Sequence, residues 1–454
     1  GIYAQDSWTL GHVTLTPGVR FENFVGSIAA RDLPAGRFVP ERHFDEIKDM
    51  PNWKDISPRF GAAWDVQGNG RTALKFGVGK YMRAYTTGFA DLYDPNILDT
   101  DTRTWSDLNG NNIAELNELG PSQNLTFGTK APRRPADGIR RPYQIEMNAS
   151  VQREISTGLS VNVSYFRRDY KRLISTDNVA IAPSDYTALN LISPLDGKQV
   201  TIYNLAASKR GVVDLVDNNS ASNWRKYNGF DVGFTARRGK LNTFGGISTG
   251  HTLSNTCDVE DPNQTLYCDQ SQYDIPLMTQ VKLAGSYALP WALQISGSLQ
   301  SYPGDARNAS VDTGNSGNIA AEDPSLRVNW TVNNAAVRAQ IPTATLTQTQ
   351  IIVPLIAPGT KFLGRQNQVD VRLKRLFSFG GRSVEAQVDL YNALNANPIL
   401  TQNQTFGTAL DRPASVLQGR LIRVGIQAFP FARLASISSR KVPSLGYTYR
   451  SMKF

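Results

Sequence analysis

The segment "SVEAQVDLYNALN" (383–395) sets Val384, Ala386, Val388 and Leu390 on one parity and Glu385, Gln387, Asp389 and Tyr391 on the other. Side chains alternate across a strand with a period of two, so this pattern predicts a strand that is aliphatic on one face and charged on the other. It recurs along the chain. "VTLTPGVRF" (13–21) separates Val13, Leu15, Val19 and Phe21 from Thr14, Thr16 and Arg20. "ALKFGVGKY" (73–81) separates Leu74, Phe76 and Val78 from Lys75 and Tyr81, and "LSVNVSY" (159–165) and "QVDVRLK" (368–374) repeat the pattern. No segment sustains a 3.6-residue period, which argues against long helices.

Thirteen strands are predicted, at roughly 2–10, 13–28, 56–67, 72–85, 142–156, 159–176, 224–238, 241–254, 275–289, 292–302, 366–377, 383–395 and 417–429. The links after odd-numbered strands are tight: "GH", "QGNGR", "TG", "GKL", "LPW" and "SFGGR". Those after even-numbered strands run from about twenty residues to more than sixty. A sandwich gives no reason to trim one rim and extend the other. An up-and-down outer-membrane barrel does, with short periplasmic turns and long extracellular loops. The fold class expected is therefore all-β, an antiparallel transmembrane β-barrel. Its aliphatic parity, such as Val384, Ala386, Val388 and Leu390, faces lipid, and Glu385, Gln387 and Asp389 face the lumen. Only a closed sheet satisfies its backbone in hydrocarbon. Trp8, Tyr81, Tyr85, Tyr165, Trp224 and Tyr391, near predicted strand ends, are candidates for interfacial girdles.

Composition narrows the alternatives. The chain has 454 residues, 40% of them hydrophobic, and no run approaches 18 consecutive apolar residues. That excludes a transmembrane helix but not barrel strands, which need about ten alternating residues each. The net charge of +9 is dispersed, with its densest runs at "RRPADGIRRP" (133–142) and "RRDYKR" (167–172). A nucleic-acid partner would need basic residues clustered with stacking aromatics, so none is expected.

Candidate chemistry is sparse. Cys257 and Cys268 are the only cysteines and no histidine accompanies them, which argues against a metal site; a loop disulfide, which implies an oxidising compartment, is the first reading and two free thiols the second. His12, His43 and His251 share no triad or metal spacing and are expected to be solvated surface residues. No nucleophile elbow or phosphate-cradling loop occurs, so no enzymatic activity is expected. In "DTDTRTWSDLNGNNIAELNE" (99–118), Asp107, Asn109, Asn111 and Glu118 fall at positions 1, 3, 5 and 12 of a calcium-loop template, with Asp99 or Asp101 as possible helpers. Gly110 occupies position 4 and Asn112 stands where the turn glycine belongs, and flanking helices are not evident. An Asx-rich turn is the first reading and bound Ca2+ the second. Lumen-parity Arg20, Glu22, Lys75, Arg372, Glu385 and Asp389 either guide a solute or satisfy one another as cross-strand pairs; the second reading is favoured.

Five stretches carry a family resemblance: "GIYAQDSWTLGHVTLTPGVRFENF" (1–24), "ISPRFGAAWDV" (56–66), "RPYQIEMNASVQREISTGLSVNVSYFRRDY" (141–170), "RQNQVDVRLKRLF" (365–377) and "VEAQVDLYNALNANPIL" (384–400). In this order they resemble the barrel of TonB-dependent outer-membrane transporters, with the Oar-like branch the best match. The resemblance implies a cell outer-membrane location in a Gram-negative envelope and active uptake of a solute. It also implies contacts with outer-membrane lipid, the barrel-assembly machinery and, through a plug, the TonB complex. Such transporters have about 22 strands and a plug. With thirteen strands, no plug and Gly1 at or inside a strand, the chain is expected to be a C-terminal portion, residues 1–431, of such a barrel. "RLIRVGIQAFPF" (420–431) fits a final strand except that Pro430 stands where a terminal aromatic is expected. The basic tail 432–454 is expected to be disordered or loosely packed. A structural or adhesive surface protein, whose loops bind a partner rather than pass a solute, is the alternative.

Overall fold

A computed structural model describes residues 1–37, 39–95, 101–121, 132–305 and 324–429. The tail 432–454, Pro430 and Asp99 lie outside the described residues. The sheet contains fourteen segments. The first two, Ile2–Gln5 and Trp8–Leu10, both pair with the next strand and form one strand, β1, interrupted at Asp6–Ser7. The others are β2 (Val13–Val25), β3 (Asn52–Asp65), β4 (Thr72–Met82), β5 (Tyr143–Ser156), β6 (Leu159–Lys171) and β7 (Trp224–Arg238). They continue with β8 (Leu241–Asn255), β9 (Met278–Ala288), β10 (Leu293–Tyr302), β11 (Gln366–Phe379), β12 (Arg382–Tyr391) and β13 (Leu421–Phe429). Each strand pairs antiparallel with its sequence neighbour, so the topology is up-and-down throughout. The sheet is open, with β1 and β13 at its edges.

All thirteen expected strands form. Several stop earlier than expected on the loop side, because the residues beyond them bond elsewhere. The segment expected as 159–176 ends at Lys171, and Ile174–Asn178 turns away to pair with Leu215–Asn219. The tight links lie on one rim and the long ones on the other. In the link from β11 to β12, Gly380 and Gly381 both have positive φ, as a two-residue type I′ hairpin requires.

Register carries the aliphatic parity unbroken across the sheet. Leu74 stands opposite Val151, Val151 opposite Val163, Val163 opposite Val232, and Val232 opposite Ile247. Further round, Leu299 faces Val369, Leu373 faces Val388, and Val388 faces Val424. Most of these side chains are exposed, including Val163, Val232, Ile247, Leu373 and Val424. An apolar band this large is foreign to the surface of a soluble monomer and suits contact with hydrocarbon. Trp8 and Trp64 are exposed on this face beside the tight turns, and Trp291 is exposed in the β9–β10 turn. They are placed as one aromatic girdle.

The buried apolar residues lie instead in the layer formed by the long loops. One cluster joins Leu191 and Ile202, from the hairpin Tyr186–Ile192/Gln199–Leu205, to Trp330, Val332, Val337 and Val353 of the β10–β11 loop. A second gathers Trp53, Tyr85, Phe89, Tyr93 and Ile174 at the top of β3 and in the β4–β5 and β6–β7 loops. Tyr85 is therefore a core residue, packed 5.3 Å from Trp53 and 5.5 Å from Phe89 between ring centroids, and not a girdle residue. Tyr81 also departs from the girdle expectation. It shares the Lys75 parity on the inner face, where Arg59 lies 4.5 Å over its ring.

Candidate functional site

The inner face is polar, and the charged residues singled out from the sequence there each have a side-chain partner. Arg20 and Arg141 both donate to Glu22, at 2.7 Å each, and Arg141 also lies 3.6 Å from Asp55. Lys75 donates to Gln152 at 2.9 Å, and Lys374 to Glu385 at 3.0 Å. Asp389, on β12, is nearly buried between Arg372 of β11 and Arg423 of β13, the latter at 3.1 Å. Six lumen-parity residues singled out from the sequence are thus engaged in local pairs. Arg141, Asp55 and Arg423 complete these networks. Arg423 had parity as its only signal in the sequence and Arg141 had only its place in the basic run 133–142, and neither says which elements meet.

Most of the two basic runs is spent in the same way. Arg133 forms a bidentate pair with Asp217, at 2.8 and 2.9 Å, and Arg134 pairs with Asp214. Arg167 pairs with Asp169 at 2.8 Å and Arg168 with Glu146 at 2.9 Å. Asp217 is fully buried and also accepts bonds from Tyr93 Oη at 2.8 Å and Thr176 Oγ1 at 2.6 Å. Burial, reinforced by the neighbouring Asp217 carboxylate, pushes the Tyr93 phenol far above its ordinary value, so it stays protonated and donates.

In the β4–β5 loop, Asp107 caps a turn. Its oxygens accept the backbone amides of Gly110, Asn111 and Asn112 at 2.7, 3.2 and 2.9 Å. The side-chain amides of Asn109 and Asn111 both donate to Glu115, at 2.9 and 3.0 Å. Glu118 accepts from the Leu108 amide at 2.9 Å and the Trp105 indole at 3.2 Å. Burial works against its charge, but the bonds from Leu108, Trp105 and Glu115 outweigh it and hold the carboxyl below its usual range. Asp107, Asn109 and Asn111 therefore share one turn, with Glu115 rather than Glu118 as the carboxylate bonded to the two asparagines. Asp101 bonds Arg103 at 2.6 Å.

Cys257 and Cys268 are bonded through their sulfurs, with Cα atoms 5.0 Å apart, and close the β8–β9 loop. His43 is exposed between Asp32 and Asp45, and its bonds to them, Asp32 first, raise its pKa. His12 is exposed in the β1–β2 turn. His251 departs from the solvated reading, since it is half-buried and its Nδ1 is 2.8 Å from the Ile275 carbonyl. No group of three or more His, Cys, Asp and Glu suited to a metal occurs among the described residues.

The outer rim is where these loops build shaped, partly enclosed space. The hairpin Tyr186–Ile192/Gln199–Leu205 is stitched to its neighbours by side-chain amides. Asn263 brackets Tyr203, accepting its N–H and donating to its carbonyl, both at 2.8 Å. Gln340 brackets Ile192 in the same manner, at 2.6 and 3.1 Å. Asn204 bonds Thr345 and Thr347 at 2.9 and 2.8 Å. These bonds turn three separate loops into one packed layer.

One large up-and-down sheet with an aliphatic outer face, a polar inner face and all long loops on one rim defines an outer-membrane barrel. The family model described as "Outer membrane beta barrel domain" matches residues 1–422, and the chain belongs to that family. Its location is the outer membrane. A search of curated proteins found no match. Among solved structures, the chain is similar to the outer membrane transporter YddB from Escherichia coli, with 13% identity and a TM-score of 0.47, over 94% of this chain and 44% of that one. It is similar also to the siderophore receptor PirA from Acinetobacter baumannii, with 12% identity and a TM-score of 0.46, over 94% and 45%. A third is the ferric-catecholate import receptor Fiu from E. coli K12, with 10% identity and a TM-score of 0.48, over 94% and 44%. The chain spans less than half the length of these structures.

Proposed function

We propose that the chain is the strand-rich part of a TonB-dependent transporter, in which outer loops capture a solute and energy arrives from the inner membrane through TonB and a plug. The sequence supports this through the five transporter-like stretches, in the order that family has them. The observation that carries the reading is the contrast between the rims. Turns of two to six residues close one side, while the other bears a loop layer with its own apolar core and amide stitching. A wall that only had to fill the membrane would gain nothing from ordering those loops, which costs about 1–2 kcal/mol per residue in backbone entropy alone. A shaped surface that must recognise a solute does gain. No residue is assigned a bond-making or bond-breaking role.

The test is solute depletion. Spent medium from wild-type cells, from cells lacking this barrel and from cells with inactive TonB is compared by untargeted mass spectrometry. The reading expects at least one solute consumed by the wild type and left by both other strains. A solute whose consumption needs the barrel but not TonB would overturn it, and no difference among the strains would favour the adhesive alternative.

A further inference from the structure

The loop layer holds a cavity of about 840 Å³ between the tip of the Tyr186–Ile192/Gln199–Leu205 hairpin, the disulfide-closed loop and residues 353–360. We propose that it is a binding site for a neutral saccharide; this deepens the solute-capture reading and rests on it. The volume falls in the usual range for small-molecule sites, which is about 300–1,000 Å³.

The lining selects the ligand class by what it contains and what it has neutralised. Tyr203, Tyr267 and Tyr273 all line the cavity, and the Tyr267 and Tyr273 rings meet edge to face with centroids 5.5 Å apart. All three are half-buried. The bonds that fasten Tyr203 run through its backbone, which leaves the phenols uncommitted among the described residues. A tyrosine offers an apolar face and a hydroxyl that both donates and accepts. A sugar ring presents the complement, an apolar C–H face edged by hydroxyls. Gln199 and Thr201 add polar groups to the same lining.

Other ligand classes find less. The lining carries one lysine, Lys198, which pairs with Asp196 at 3.1 Å, against two carboxylates, Asp196 and Asp269, so an anionic chelate meets no net positive charge. Asp269 is already bonded by the Ser271 amide and hydroxyl, at 3.0 and 2.7 Å. An extended peptide would add to the hairpin by backbone pairing. Asn263 occupies both the N–H and the carbonyl of Tyr203, and Gln348 bonds the Tyr203 carbonyl and the Leu205 N–H, each at 3.2 Å. That edge is closed at Tyr203 and Leu205. The same bonds, with the disulfide, hold the walls before any ligand arrives, which lowers the ordering cost of binding.

The test is calorimetric titration of the intact protein, purified in detergent from outer membranes, with maltotetraose, cellotetraose and chitotetraose, and with tetragalacturonic acid as the charged counterpart. At least one neutral tetrasaccharide is expected to bind saturably and at least ten-fold more tightly than the uronate. Tyr267→Ala is expected to weaken that binding ten-fold or more. Tyr273→Phe, which keeps the ring, should weaken it two- to five-fold. Heat-modifiable migration and an oxidised Cys257–Cys268 pair confirm that each variant is folded. No saturable binding by any of the three, or binding indifferent to both substitutions, overturns the inference. TonB-dependent uptake of some other solute without saccharide binding would sink the site and leave the transport reading standing. Saccharide binding with TonB-independent uptake would do the reverse.

Discussion

Arg133 and Asp217 meet through two parallel bonds of 2.8 and 2.9 Å, although 84 residues separate them. Around this pair Arg133–Pro135 lies parallel to Leu215–Asn219, which in turn pairs antiparallel with Ile174–Asn178. Two loops from different hairpins are thereby fixed to each other. Replacing one partner of a buried ion pair typically costs about 3–5 kcal/mol, because the other is left without compensation. Asp217→Ala is expected to raise amide exchange in 133–135, 174–178 and 215–219 by factors of a hundred or more. The SDS resistance of the barrel should be unchanged, since the membrane strands bond to one another. Unchanged exchange in those segments would show that the pair does not hold the loops together.

Asp177 lies in the same small sheet and is nearly buried. Burial first, then the nearby Glu260 and Asp258 carboxylates, pushes its pKa up from 3.8 to about 6. The folded state therefore binds this proton more tightly than the unfolded one. Ionised Asp177 costs stability at neutral pH, and the cost disappears as pH falls through about 6 toward the unfolded value. At about 1.4 kcal/mol per unit, the effect on this segment should be about 2–3 kcal/mol. Amide exchange of 174–178 at pH 7.5, corrected for its intrinsic pH dependence, should exceed that at pH 5. Asp177→Asn should slow exchange at pH 7.5 and flatten the profile. A profile that steepens in the variant would contradict the assignment.

The Cys257–Cys268 bond closes a short loop that forms one wall of the cavity. For loops of this size a disulfide contributes about 3 kcal/mol on the chain-entropy account. Cys257→Ser with Cys268→Ser should make 256–273 the first site of proteolytic nicking, with the strands intact. Equal nicking rates in the wild type and the double variant would mean that Asn263 and the loop's own turns suffice.

The Asp107 turn is saturated by its own amides, which predicts that it needs no ion. Titration of Ca2+ to millimolar levels should leave Trp105 emission unchanged, since the Trp105 indole reports on the loop through its bond to Glu118. A saturable response that disappears in Asp107→Ala would establish the second reading of this loop.

The membrane-facing strands were legible because their information is local. Parity repeats every two residues, and turn residues such as Gly380 and Gly381 mark the hairpins directly. Even the inner-face pairing of Glu385 and Asp389 followed from parity, although their partners did not. The loop layer was opaque for the opposite reason. Nothing near Tyr85 announces that it packs on Trp53 and Phe89, and nothing near Asn263 announces that it brackets Tyr203. His251 was misread as solvated because its partner, the Ile275 carbonyl, comes from the adjoining loop. Strand ends were overextended where, as at Ile174–Asn178, alternation continues but the pairing partner changes.

The central claim is that lipid lies against one parity of these strands and water against the other. It is tested most directly by single-cysteine labelling along β12 in intact outer membranes, in a background whose two native cysteines are already bonded to each other. A membrane-impermeant maleimide is added from both sides after mild permeabilisation to Glu385→Cys, Ala386→Cys, Gln387→Cys and Val388→Cys. The account predicts rapid labelling at 385 and 387 and protection at 386 and 388, with Val388→Arg costing about 2–4 kcal/mol near the midplane. Uniform labelling, or protection at 385 and 387 with labelling at 386 and 388, would contradict it.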